Sequence, residues 1–248
     1  MWHLAVELCF TILCWKGNVI RREKLRMKCG SFYIAKDRPS KSQGDDSHFI
    51  YGMGGWSKHG VDAGLYVAEL IINSLLATLA LPLTQVDPMK VLDEAFSKTK
   101  AQRRAMCFVV FALILLHTYM NHMLHAVNVG DSRFMVIRRG EIIYKSLIQL
   151  QFSVIKVRVE VGYMIIAGTN GLFDNLFELQ ILATTSKRIK QNLDAEEMAW
   201  EMAQLAYHTS RDKSAVTPFM KASKRVGRFR DGGKGDDITV IVSHILGA

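Results

Sequence analysis

Apolar residues in this chain fall into short runs and alternating stretches, broken by glycine and acidic turns. Gly30 to Ala35, Leu124 to Val129, Arg133 to Arg138, Glu141 to Ser146, Tyr163 to Ala167 and Ile238 to Ile245 read as strands. The breaks at Gly130-Asp131-Ser132 and Arg139-Gly140 predict hairpins. A helical repeat of Leu65, Ala68, Ile72 and Leu76 predicts a helix over 62–80. A second is predicted from Asp87, a good N-cap followed by Pro88, to about Lys100. Gly168 to Gly171 reads as a turn, with a helix beginning near Phe173. Asp194 with Glu197 forms a capping box, opening a helix whose apolar face is Met198, Met202, Leu205 and Ala206. Strands and long helices together imply a layered sheet-and-helix domain of the α+β class.

Two longer apolar runs change the picture little. Leu4 to Trp15 and Ala105 to Leu116 both fall short of the ~20 residues a spanning helix needs, so no membrane span is expected. The second run reads as a buried strand or core helix; the first has no evident role. Residues 1–25 are set apart as an N-terminal appendage and 26–248 as one domain. A chain of 248 residues, 49% hydrophobic, has enough apolar mass for one sizeable core.

The formal charge of +9 is spread along the chain. Its two local clusters, Arg21 to Lys28 and Lys221 to Arg230, have no interleaved aromatics for base stacking, so no nucleic-acid partner is expected. Cys9, Cys14, Cys29 and Cys107 show no C-x-x-C spacing and make no disulfide framework, which points to a reducing, intracellular setting. His117, His122 and His125 read as surface or half-buried strand histidines rather than zinc ligands.

The candidate chemistry lies in three acidic segments at the ends of strand-like runs: Gly44-Asp45-Asp46, Thr169 to Asp174, and Gly235-Asp236-Asp237. Carboxylates gathered from distant strand ends favour hard ions such as Mg²⁺ or Mn²⁺, and paired ions suit phosphate-ester hydrolysis. Taken in order, the segments are more specific. They are Gly-Asp-Asp-Ser-His-Phe-Ile (44–50), Gly-Gly-Trp (54–56), Asn-Val-Gly-Asp-Ser-Arg (128–133), Ile-Ala-Gly-Thr-Asn-Gly-Leu-Phe-Asp-Asn (166–175) and Gly-Gly-Lys-Gly-Asp-Asp-Ile-Thr-Val (232–240). This series resembles the metal-dependent (type 2C, PPM) protein serine/threonine phosphatases, closest to their plant and organellar branch, over roughly residues 26–245.

The resemblance implies an α-β-β-α sandwich, a phosphoprotein substrate and two Mn²⁺ or Mg²⁺ ions activating water. It places metal ligands at Asp45, Asp46, Gly52 (through its carbonyl), Asp131, Asn170 and Asp236. It assigns no catalytic side chain beyond the metal-bound water, and its branch suggests chloroplast or mitochondrion. The copy is degenerate in two ligands. Tyr51 stands where the family has a bridging aspartate, and Asn170 replaces a second one. Only five residues, Ser47 to Tyr51, separate the first acidic pair from Gly52, where the family runs two strands. They span at most about 18 Å and contain no turn former, so part of the central sheet is expected to be missing. Two readings follow: a phosphatase, or a catalytically inactive pseudophosphatase that binds or regulates a partner. A coding segment omitted between Ile50 and Tyr51 would account for the same gap.

Overall fold

The computed structural model describes residues 7–13, 25–36, 46–51, 108–117, 122–190 and 194–247, with 89, 90, 94 and 97. Ten strands and four helices lie in these residues. In chain order they are β1 (Glu7–Leu13), β2 (Leu25–Ile34), β3 (Asp46–Tyr51), β4 (Phe108–His117), β5 (His122–Gly130), β6 (Arg133–Arg138), β7 (Glu141–Lys145), β8 (Gln149–Arg158) and β9 (Tyr163–Gly168). There follow α1 (Asn170–Phe173), α2 (Glu178–Lys190), α3 (Ala195–Arg211), α4 (Pro218–Arg225) and β10 (Ile238–Gly247). The helix expected over 62–80 lies outside the described residues. Of the one expected from Asp87, Met89, Lys90, Glu94 and Ser97 are helical.

The strands form two five-stranded sheets, ordered β3-β1-β4-β5-β8 and β2-β10-β9-β6-β7. Side chains between them make one core, with Leu124, Ala126, Ile155 and Val157 facing Phe134, Val136, Ile165 and Ile241. The opposite face of the second sheet carries a separate core. There Met135, Ile137, Met164, Ile166, Val240 and Val242 pack on Met198, Ala199, Met202 and Ala206 of α3. Because both faces are covered, β9 is buried at all six positions and β10 over its first six. This is why both read as nearly continuous apolar runs rather than alternating ones.

Several local signals act as the sequence implies. Arg139 and Gly140 both take positive φ, 51° and 82°, in the tight turn joining β6 to β7. The Asp194 side chain accepts from the Glu197 N–H, and Glu197 returns the bond to the Asp194 N–H. Ala105 to Leu116 contributes the strand β4.

Four expectations need correction. Gly130-Asp131-Ser132 is not a hairpin: β5 and β6 belong to different sheets, so this segment crosses between layers. The irregularity in the β5–β8 pairing between Asn128 and Gly130 precedes that departure. Second, the helix placed near Phe173 starts earlier, at Asn170, because Thr169 has already turned out of β9 as N-cap. Third, Leu205 is 36% exposed, off the buried stripe of α3. Fourth, the first apolar run supplies a strand. Glu7–Leu13 pairs in parallel with β3 on one side and β4 on the other, setting Leu13 opposite both Tyr51 and Ile114. The backbone groups of β3 and β4 that face each other are met by this N-terminal segment.

Candidate metal centre

One end of the second sheet gathers two of the acidic segments and the Gly130–Ser132 crossover. At the start of α1, Thr169 ties β9 to β10: its hydroxyl donates to the Asp237 carbonyl at 3.2 Å and accepts the Thr239 N–H at 3.1 Å. Gly171 sits so close to the Asp237 carbonyl that a Cβ there would stand inside it, so glycine is required for α1 to lie against the last acidic segment. The Asn170 amide donates to Asp131 Oδ2 at 3.0 Å, joining the crossover to α1. Asn170 is 5% exposed.

The remaining carboxylates are held by cations and amides. Lys234 Nζ lies 2.9 Å from Asp174 Oδ2 and 3.1 Å from Asp236 Oδ2. Burial by itself lowers the pKa of this ammonium, but the two carboxylates more than reverse it, so it lies above the ordinary lysine value. Arg133 approaches Asp174 at 3.8 Å and stacks on the Phe173 ring. Burial pulls its pKa below the usual arginine value against the opposing charges of Asp174, Asp131 and Glu178. Asn175, fully buried, donates to the Gly171 and Lys234 carbonyls and accepts the Lys234 N–H. Asp236 accepts the N–H of Asp237, and Asp237 accepts the N–H of Lys36 just beyond β2.

Thus Asp131, Asn170 and Asp236, all expected from the sequence, stand on neighbouring segments. Asp46 and Tyr51 are the first and last residues of β3, in the facing sheet. Asp45 and Gly52 lie outside the described residues. Lys234, Asp174 and Asn175 form a hold that sequence reasoning missed. Asp174 and Asn175 stand within the quoted motif, but nothing in it says that a lysine 60 positions away along the chain closes on Asp174.

Relatives and solved structures agree on one kind of protein. The chain is 35% identical to "Probable protein phosphatase 2C 55" of Arabidopsis thaliana over 250 residues, 89% of this chain and 52% of that protein. It thus spans about half the length of that relative. These relatives are type 2C protein phosphatases, and the chain resembles them over most of its own length. Its fold is similar to that of the photosystem II phosphatase PBCP, with a TM-score of 0.70 at 24% identity over 88% of this chain and 98% of that one. It is also similar to the catalytic domain of the serine/threonine protein phosphatase PstP, solved with two manganese ions. The TM-score there is 0.57 at 15% identity, over 90% of this chain and the whole of the other. No family model matches the chain.

Type 2C phosphatases depend on metal, and the donors here fit a cation in part. Asp131 Oδ1 is buried without a hydrogen-bond partner among the described residues, a carboxylate oxygen suited to a cation. Asp236, by contrast, already has an ammonium at 3.1 Å. No group of three or more His, Cys, Asp or Glu side chains converges on one point among the described residues. None of the described helices is long and apolar enough to cross a membrane.

Proposed function

We propose that this chain hydrolyses phosphoserine or phosphothreonine in a protein substrate, using Mn²⁺ or Mg²⁺ held by Asp46, Asp131, Asn170 and Asp236, with Asp45 and the Gly52 carbonyl completing the set. The observation that carries the reading is the buried, unpartnered Oδ1 of Asp131 beside Asn170, on the family's own motif positions. A divalent ion bound there lowers the pKa of a water molecule and offsets phosphoryl charge. The chain's own residues do the positioning. Gly171 and Thr169 set Asn170 against the last acidic segment, and Lys234 fixes the rotamer of Asp236.

A second reading is favoured by specific residues. Tyr51 brings a neutral phenol where the family has a carboxylate, and the Asn170 amide is oriented as a donor toward Asp131. Together these supply less negative charge than two dications require. On that reading the chain is a pseudophosphatase that binds its partner without turnover.

The deciding measurement is Mn²⁺-dependent phosphate release from a phosphothreonine peptide by the purified chain. Activity reduced at least ~100-fold by Asp236→Ala supports the enzyme reading. An inactive chain restored by Tyr51→Asp with Asn170→Asp identifies ligand loss as the only fault. An inactive chain that those two changes leave inactive favours the pseudophosphatase.

A further inference from the structure

Next to the carboxylates a pocket of about 550 Å³ opens on the surface. That is within the size range of sites that take a side chain or small ligand, roughly 300–1,000 Å³. Its walls come from four parts of the chain. Met135 lies on β6, Phe173 closes α1, Phe177 precedes α2, and Lys221 belongs to α4. The floor is apolar and the rim basic, with Arg133, Lys145 and Lys221 set against the single acid Glu178.

Glu178 is already neutralised by Lys145. Lys221 lies over the Phe177 ring, 4.7 Å from its centre, and has no acidic partner among the described residues. Arg133 meets Asp174 at 3.8 Å and is further answered by the charges of Asp131 and Glu178. The rim therefore holds one cation, Lys221, with no acidic partner among the described residues, beside apolar lining residues. Leu179, 78% exposed, extends the apolar surface at the lip.

The pocket adjoins the carboxylate cluster at Arg133, which stands 3.8 Å from Asp174. Arg133 lies two residues from Asp131, and Phe173 lies between Asn170 and Asp174. We propose that this pocket is the docking site for a partner protein's segment carrying a large apolar side chain next to an acidic one. The apolar group fills the floor, and the carboxylate meets Lys221. This rests on the functional reading only for where the partner chain lies, and it serves either the enzyme or the pseudophosphatase.

The test is direct binding of fluorescein-labelled, unphosphorylated peptides to the whole chain by fluorescence anisotropy, so turnover plays no part. One probe carries Leu-Glu-Asp beside a central threonine; two controls replace the acids with lysine or the leucine with serine. The expected result is at least ~10-fold tighter binding of the first probe, weakened by salt. Lys221→Glu, an exposed change outside the carboxylate cluster, removes that preference and moves it toward the lysine peptide. Equal affinity for all three probes overturns the proposal, as does a preference that Lys221→Glu leaves unaltered. Binding of dodecanoate without binding of any peptide overturns it in favour of a lipid site.

Discussion

At the scale of single residues, His244 links the fold to pH. It lies on β10 opposite Lys28 of β2, with its Nε2 buried and lacking a hydrogen-bond partner among the described residues. Burial lowers its pKa below the ordinary histidine value, and Lys28 lowers it further against the weaker opposite pull of Asp194. A depressed folded-state pKa means that folding favours the neutral ring. The contribution is full above about pH 6.5, the unfolded value, and is lost as pH falls through the folded pKa. Urea denaturation of the wild type should therefore show stability falling from pH 7 toward pH 5. His244→Gln should flatten the part of that slope due to this ring; an identical slope in the variant would remove His244 from the account. Asp131, Asn170 and Asn175 join the crossover, α1 and the last acidic segment by hydrogen bonds.

At the scale of elements, the seat of α3 on the second sheet decides how firmly the layers hold. Gly30 in β2 lies where α3 crosses, and a Cβ there would stand inside the backbone of Ala195 and Glu196. The neighbouring atoms are main chain, so no rotamer change relieves the clash. Gly30→Ala should cost about 1–3 kcal/mol in guanidinium denaturation. The loss should also appear as reduced helical signal if α3 lifts from the sheet. An unchanged midpoint would mean that α3 does not approach β2 this closely. The capping box at Asp194 and Glu197 fixes where α3 begins, so it also fixes that helix's first turn over Gly30.

At the scale of the whole molecule, the N-terminal run is structural. Glu7–Leu13 sits between β3 and β4 with ladder partners on both sides. If residues 1–25 were only an appendage, a proline in them would be harmless. In an interior strand a proline removes a ladder N–H and disrupts both neighbours. Thr11→Pro should therefore destabilise the chain by on the order of a few kcal/mol and promote aggregation through the opened edges of β3 and β4. Full stability in the variant would return this segment to the status of an appendage. The result also bears on β3, which among the described strands pairs with β1 alone.

Much of this was written locally. Arg139-Gly140 specified a tight turn because a glycine takes positive φ without steric cost, and Asp194 with Glu197 specified a helix start because the two groups satisfy each other's backbone donors. The ordered acidic motifs specified the family resemblance. Tertiary structure alone decided the partners. Gly130-Asp131-Ser132 reads equally well as a hairpin or a crossover, because the turn does not encode which sheet receives the next strand. The Leu4 to Trp15 run has the composition of a strand, but only the open place between β3 and β4 gives it one to fill. Lys234 reads as one more basic residue until folding brings Asp174 and Asp236 to its ammonium. Local conformation is set within a few residues. Strand partners and ion pairs depend on which distant surfaces need covering.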